Sequence, residues 1–138
     1  MNILITGGAG YIGSHVAKQL LETTQHDITI LDNLSTGYIQ TIQTLKTIRD
    51  FEFVELDLKE FDSVNVLLQT KSFDVIIHFA ASSIVSESVE NPLKYYMNNT
   101  VNTTNLIKCA SEHGIKKFIF SSTAAVYGEP TECVNIDE

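Results

Sequence analysis

The sequence predicts an α/β fold, a doubly wound parallel sheet in the order 3-2-1-4-5, on three observations. Five short apolar runs alternate with helix-length segments, and such alternation implies parallel strands joined by crossover helices. Val75-Ile76-Ile77 and Phe118-Ile119-Phe120 are apolar without a break, the pattern of strands covered on both faces. A glycine cluster, Thr6-Gly7-Gly8-Ala9-Gly10-Tyr11-Ile12-Gly13, follows the first run and leads into a helix-patterned segment from Ser14. Right-handed crossovers then place a ligand crevice at the carboxyl ends of the strands, near the switch between the first and the fourth.

The first strand is expected over Asn2 to Thr6, ahead of the glycines. A helix N-terminus carries unpaired N–H groups and the positive end of the helix dipole, so a pyrophosphate can sit there if no side chain blocks it. Glycines remove the block. Gly7, Gly10 and Gly13 fit a Gly-x-x-Gly-x-x-Gly register, and Gly8, Gly10 and Gly13 fit Gly-x-Gly-x-x-Gly; both predict the same site. The second strand, Ile28 to Asp32, ends in an acid roughly 20 residues beyond the glycines, where a ribose-binding carboxylate belongs. Asp32 is thereby expected to select NAD. Its carboxylate can accept both adenine-ribose hydroxyls, whereas a 2′-phosphate meets like charge with no nearby Arg to receive it. The plainer role of Asp32, a turn cap after a strand, stays open.

The chain has 138 residues, a common size for one domain with one core. A formal net charge of −8, with no Lys/Arg cluster, argues against nucleic-acid and anionic-membrane partners. Backbone N–H groups can still bind a small anion. The opening Met1-Asn2-Ile3-Leu4-Ile5-Thr6 lacks a basic flank and is too short an apolar run for a signal peptide or membrane span, so the expected compartment is the cytoplasm. Cys109 and Cys133 form no C-x-x-C and no paired His spacing, which leaves no support for a metal site or disulfide framework. Cys109 reads as a small buried apolar residue on a helix, and Cys133 as a loop thiol. From Tyr127-Gly128-Glu129-Pro130 onward the periodicity is lost.

After Asp32, the polar loop Asn33-Leu34-Ser35-Thr36-Gly37 can wrap an adenosine, and a helix follows around Tyr38 to Ile48. The third strand, Phe51 to Glu55, leads to Asp57-Leu58, where Asp57 either accepts an adenine amino group or is the N-cap or turn residue before the Glu60 to Gln69 helix. The two roles are compatible. The fourth strand, Asp74 to Phe79, runs into Ala80-Ala81-Ser82-Ser83, small residues that let backbone approach a cofactor. His78 reads as a hydrogen-bonded structural histidine, His15 likewise, and His26 and His113 as surface residues. Asn91-Pro92 is a helix start, with the helix expected to reach His113 before Gly114 stops it. Its middle, Asn98 to Asn105, is poor by helix propensity, which implies tertiary compensation, either to a polar ligand or to neighbouring backbone. The fifth strand, Lys117 to Ser121, ends in Ser121-Ser122-Thr123, hydroxyls placed either to meet a substrate oxygen or to form a Ser/Thr turn.

Taken together, Thr6 to His15, Leu31 to Ser35, His78 to Ala81, Asn91 to Asn99 and Phe120 to Gly128 resemble the extended short-chain dehydrogenase/reductases. Within them the chain is similar to the amino-terminal part of the UDP-glucose 4-epimerase family, over essentially its whole length. The resemblance implies an incomplete Rossmann-type NAD-binding domain over residues 1–138, lacking a carboxyl-terminal part and a substrate domain. It implies that Gly7, Gly10, Tyr11, Ile12 and Gly13 surround the pyrophosphate. Asp32 and Asn33 would hold the adenine ribose, with Leu34, Ser35, Thr36 and Gly37 beside them, and Asp57 and Leu58 would flank adenine. Phe79, Ala80, Ala81, Ser82 and Ser83 would line the nicotinamide half, with Asn98 reaching it from the long helix. Thr123 matches the Ser/Thr that hydrogen-bonds the sugar 4-hydroxyl. The partners implied are a UDP-sugar and, at full length, a second subunit packed through helices that include Leu93 to His113. The activity implied is interconversion of UDP-glucose and UDP-galactose, in galactose metabolism, through transient oxidation at C4.

Two departures stand out. Many epimerases carry Lys at the position of Ser83, although a Ser variant also occurs. More important, the chemistry needs a tyrosinate base lowered in pKa by a Lys one turn away. The five tyrosines, Tyr11, Tyr38, Tyr95, Tyr96 and Tyr127, are followed four positions later by His15, Ile42, Asn99, Thr100 and Thr131. The 138 residues therefore read as a fragment without epimerase activity. Rival readings are an epimerase of UDP-N-acetylglucosamine, another nucleotide-sugar epimerase or dehydratase, and a non-catalytic NAD-binding module. Dehydratases generally place Asp-Glu after the catalytic Thr, where this chain has Ala124-Ala125.

Overall fold

A computed structural model describes residues 1–123, so Tyr127 to Pro130 and Cys133 lie outside the described residues. Strands β1 (Asn2–Thr6), β2 (Asp27–Asp32), β3 (Glu52–Glu55), β4 (Val75–His78) and β5 (Lys117–Phe120) form one sheet. Its order is β3-β2-β1-β4-β5 and every pairing is parallel, as the alternating pattern predicts. The first three helices are α1 (Tyr11–Thr23), α2 (Ile39–Lys46) and α3 (Phe61–Thr70).

Successive side chains of a strand point to opposite faces, so an unbroken apolar run feeds two cores. Ile3, Ile5, Ile28, Ile30, Val75 and Ile77 pack with Ala17 and Leu21 of α1 and Ile42 and Leu45 of α2. Leu4, Leu31 and Ile76 pack the other way, with Val64 and Leu68 of α3 and with Leu106, Cys109 and Ala110. Cys109 is a free, fully buried thiol, and burial pushes its pKa up.

The expectation of two covered faces fails at β5. Phe118 packs against the second cluster, but Ile119 and Phe120 are each 55% exposed. Among the described residues this strand lies at the sheet edge, with β4 as its one neighbour, and no helix covers the Ile119 side. An apolar strand records which faces can be buried, and the described residues cover one of the two here.

The helix expected from Asn91 to His113 is continuous from Pro92 to Glu112, but its middle is π-helical. Helix α4 (Val85–Glu90), which the sequence did not announce, comes first, then α5 (Pro92–Tyr95), a π-helical segment (Tyr96–Val101) and α6 (Asn102–Glu112). Asn91 does cap the start, accepting from the Lys94 N–H at 3.4 Å with Pro92 as first helical residue. Gly114, at φ 74°, stops the end as expected, and the Ile115 N–H returns to the Ala110 carbonyl at 2.8 Å. Tyr95 ties α4 to α5: its hydroxyl lies 2.8 Å from both the Ile84 carbonyl and Glu87 Oε2, and Lys94 pairs with Glu87. No helix among the described residues is long and apolar enough to cross a membrane.

Candidate functional site: a crevice across the strand ends

A crevice of about 440 Å³ opens along the carboxyl edge of the sheet, with lining that reaches from Asp57 after β3 to Ser122 after β5. Its middle is the turn between β1 and α1. The Gly7 N–H donates to the Leu31 carbonyl at 2.8 Å, and Gly10, the N-cap of α1, supplies no side-chain cap to the first-turn N–H groups. Those groups have no carbonyl one turn behind them and need an external acceptor. Gly7 sits at φ 74°, and a Cβ there would lie 2.6 Å from the Ala80 nitrogen. A Cβ on Gly13 would lie 2.3 Å from the Gly7 carbonyl oxygen. Side chains are thus excluded where β1, α1 and the loop after β4 converge. Of the two glycine registers, Gly7, Gly10 and Gly13 line the crevice, while Gly8 backs onto Ile30.

Asp32 ends β2 inside the crevice, 7% exposed. Its Oδ2 accepts from the Ala9 N–H at 2.9 Å and its Oδ1 from the Leu34 N–H at 2.8 Å. Both the turn-cap role and the open carboxylate coexist, because a carboxylate has about four acceptor positions and two are used. Leu34 adopts φ 55° and packs on the first core cluster. Gly37 lies under the glycine turn, where a Cβ would meet Ala9 Cβ at 2.7 Å. These two residues support the crevice from behind; Asn33, Ser35 and Thr36 line it. Asn33 donates to Asp57 Oδ2 at 2.9 Å, and Asp57 Oδ1 accepts from the Lys59 N–H at 2.9 Å, so Asp57 is a turn residue while Glu60 is the N-cap of α3. Partial burial pushes the Asp57 carboxyl up, but the Lys59 N–H, Asn33 and the Lys59 ammonium outweigh it and hold its pKa below the usual carboxylate value.

At the other end, Phe79, Ala80, Ala81, Ser82, Ser83 and Asn98 line the crevice. Ser82 is bonded by Asn98 Nδ2 at its hydroxyl, at 3.0 Å. His78 lies beneath, 2% exposed, with Nδ1 2.6 Å from Thr6 Oγ1 and Nε2 2.8 Å from Thr103 Oγ1. Burial pulls its pKa down to about 4, so the ring is neutral at pH 7 with one nitrogen donating and the other accepting. His15 is hydrogen-bonded to the Tyr11 carbonyl at 2.7 Å, and the half-buried His113 meets Asn65 at 2.8 Å. Thr123, an exposed residue, directly follows Ser121 and Ser122, which line the crevice. Leu31, Leu56 and Phe120 also line it, and nothing in their residue type signals that.

The fold and this crevice define a Rossmann-type α/β domain, open at its switch point to an extended ligand. Residues 4–138 match the GDP-mannose 4,6 dehydratase family, and the chain belongs to that family. It is similar to UDP-glucose 4-epimerase of Halalkalibacterium halodurans, 46% identical over 132 residues that make up 96% of this chain and 37% of that protein. A UDP-Glc/GlcNAc 4-epimerase structure from Campylobacter jejuni is 58% identical with a TM-score of 0.89, covering 95% of this chain and 40% of that one. UDP-glucose 4-epimerase from Bifidobacterium longum, solved with NAD+ and UDP, is 33% identical with a TM-score of 0.89, covering all of this chain and 42% of that one. The chain thus spans about two fifths of the length of these relatives.

Proposed function

We propose that the chain binds NAD across this crevice and forms the cofactor-binding part of a cytoplasmic UDP-sugar 4-epimerase that interconverts UDP-glucose and UDP-galactose. The observation that carries the reading is the meeting, over one opening, of a buried carboxylate with bare backbone at an uncapped helix start. The N–H groups of Tyr11, Ile12 and Gly13 fit a pyrophosphate, with Gly7 and Gly10 giving room. The free lone pairs of Asp32 fit ribose hydroxyls, beside Asn33, Ser35 and Thr36 and with Leu34 and Gly37 as backing. Asp57 and Leu58 take the adenine edge. Phe79 to Ser83 and Asn98 take the nicotinamide half.

Bound NAD supplies a reversible hydride acceptor for C4 of the sugar. Thr123 is assigned to hydrogen-bond the 4-hydroxyl. The proton of that hydroxyl needs a base, and no tyrosine of this chain has the Lys partner that makes a tyrosinate. Tyr95 illustrates the opposite tuning: burial and the hydrogen bond to Glu87 push its hydroxyl up. We assign the base to a longer product carrying Tyr-x-x-x-Lys. The exposed Val85, Val89, Leu93, Tyr96 and Met97 favour a homodimer in that product.

Calorimetric titration with NAD and with NADP tests the cofactor assignment, and loss of discrimination between them overturns it. A coupled assay of the longer product with UDP-glucose and with UDP-N-acetylglucosamine tests the substrate. The second reading, an epimerase that also takes N-acetylated sugars, draws on the 58% identity to the Campylobacter enzyme. A longer product without Tyr-x-x-x-Lys would instead be a non-catalytic NAD-binding module.

A further inference from the structure

Asn99 does not line the crevice, yet it makes a two-point contact with a residue that does. Its Oδ1 accepts from the Ser82 N–H at 2.8 Å and its Nδ2 donates to the Ser82 carbonyl at 2.8 Å. One side chain therefore takes both backbone groups of one loop residue, and leaves that residue little torsional freedom. Asn98 Nδ2 adds a bond to Ser82 Oγ and another to Asn99 Oδ1, at 3.0 and 3.2 Å. Adjacent residues on an ordinary α-helix diverge by about 100° in direction. Here both asparagines reach one residue from the π-helical segment, a local widening of the helix that recurs at functional sites.

Resting on the dinucleotide reading above, we infer that Asn99 is a positioning residue: by fixing the Ser82 backbone it pre-forms the loop after β4 against which the nicotinamide half docks. A loop already ordered before binding loses less freedom on association, and the gain is specific to ligand parts that touch it. The sheet order separates the two ends of the crevice. Asp32 and Asp57 follow β2 and β3 on one side of β1, and Ser82 follows β4 on the other. AMP should therefore report the adenosine end alone, while NAD reports both.

Calorimetric titration of NAD and of AMP into the chain, Asn99→Ala and Asn99→Asp tests this. Asn99→Asp keeps an acceptor for the Ser82 N–H and removes the donor to its carbonyl. Both variants are expected to bind NAD about tenfold more weakly and AMP within about twofold of the unmodified chain. Unchanged NAD affinity, or NAD and AMP affinities falling in parallel in both variants, overturns the inference; parallel loss would make Asn99 a scaffold residue. Should Asn99→Ala alone lose AMP binding through misfolding, Asn99→Asp decides. Failure of the unmodified chain to bind NAD is a separate result that removes the dinucleotide reading, and this inference with it.

Discussion

Asp32 Oδ2 accepts a hydrogen bond from the Ala9 N–H at 2.9 Å, which joins the end of β2 to the glycine turn after β1. The other oxygen of the same carboxylate orders the next loop through the Leu34 N–H. One side chain thus shapes two walls of the crevice and keeps acceptor capacity facing into it.

Asp32→Ala is therefore expected to weaken NAD more than NADP. Charge-assisted hydrogen bonds contribute about 1.5–3 kcal/mol, so the NAD loss should be about 10- to 100-fold by calorimetry. NADP, whose 2′-phosphate the carboxylate repels, should lose less. Equal loss for both dinucleotides removes the ribose-carboxylate argument.

The turn itself separates two substitutions that look alike in sequence. Gly13→Ala drives a Cβ to 2.3 Å from a backbone carbonyl oxygen, with no flexible group to yield, and should cost about 3 kcal/mol. Gly10→Ala meets one atom at 3.3 Å and should cost about 1 kcal/mol or less. Denaturant midpoints of the two variants check the contrast, and equal midpoints contradict the turn geometry.

His78 makes stability depend on pH with a definite sign. Its folded pKa of about 4 lies below the ordinary 6.5, so between those values the unfolded chain binds more protons. The contribution is fully present above about pH 6.5 and is lost as pH falls toward about 4, by on the order of 3 kcal/mol. Urea unfolding across that window should show the decline, and His78→Gln should flatten it. An undiminished slope in the variant would assign the decline to other groups.

Turnover is expected to follow the base. The 138 residues alone should show no interconversion of UDP-glucose and UDP-galactose in a coupled assay, because none of the five tyrosines has a Lys four positions on. Robust turnover by the purified 138-residue chain contradicts that assignment.

The sheet was readable because parallel strands impose unbroken apolar runs, and right-handed crossovers restrict them to a few doubly wound orders, of which β3-β2-β1-β4-β5 is the one present. Asp32 and the glycines were readable for the same reason: each occupies a strand end at a fixed offset. What escaped depends on contacts distant in sequence. Nothing local to Phe118-Ile119-Phe120 tells that the described residues leave one face of β5 uncovered, since that depends on which elements pack beside it. The polar stretch from Asn98 did point to tertiary compensation, but its form, a π-helical segment clasping Ser82, needed the loop after β4 in place. Asn99 belongs to that stretch and fulfils the backbone alternative, but nothing local names Ser82 as its partner. His78 shows the converse: a lone histidine in an apolar strand end proved to have both nitrogens satisfied by Thr6 and Thr103.

The most direct test of the dinucleotide assignment is a crystal structure of the chain grown with saturating NAD. The pyrophosphate should lie against the N–H groups of Tyr11, Ile12 and Gly13, with both adenine-ribose hydroxyls on the Asp32 carboxylate. A folded chain whose crevice stays empty, or whose NAD lies elsewhere, contradicts it.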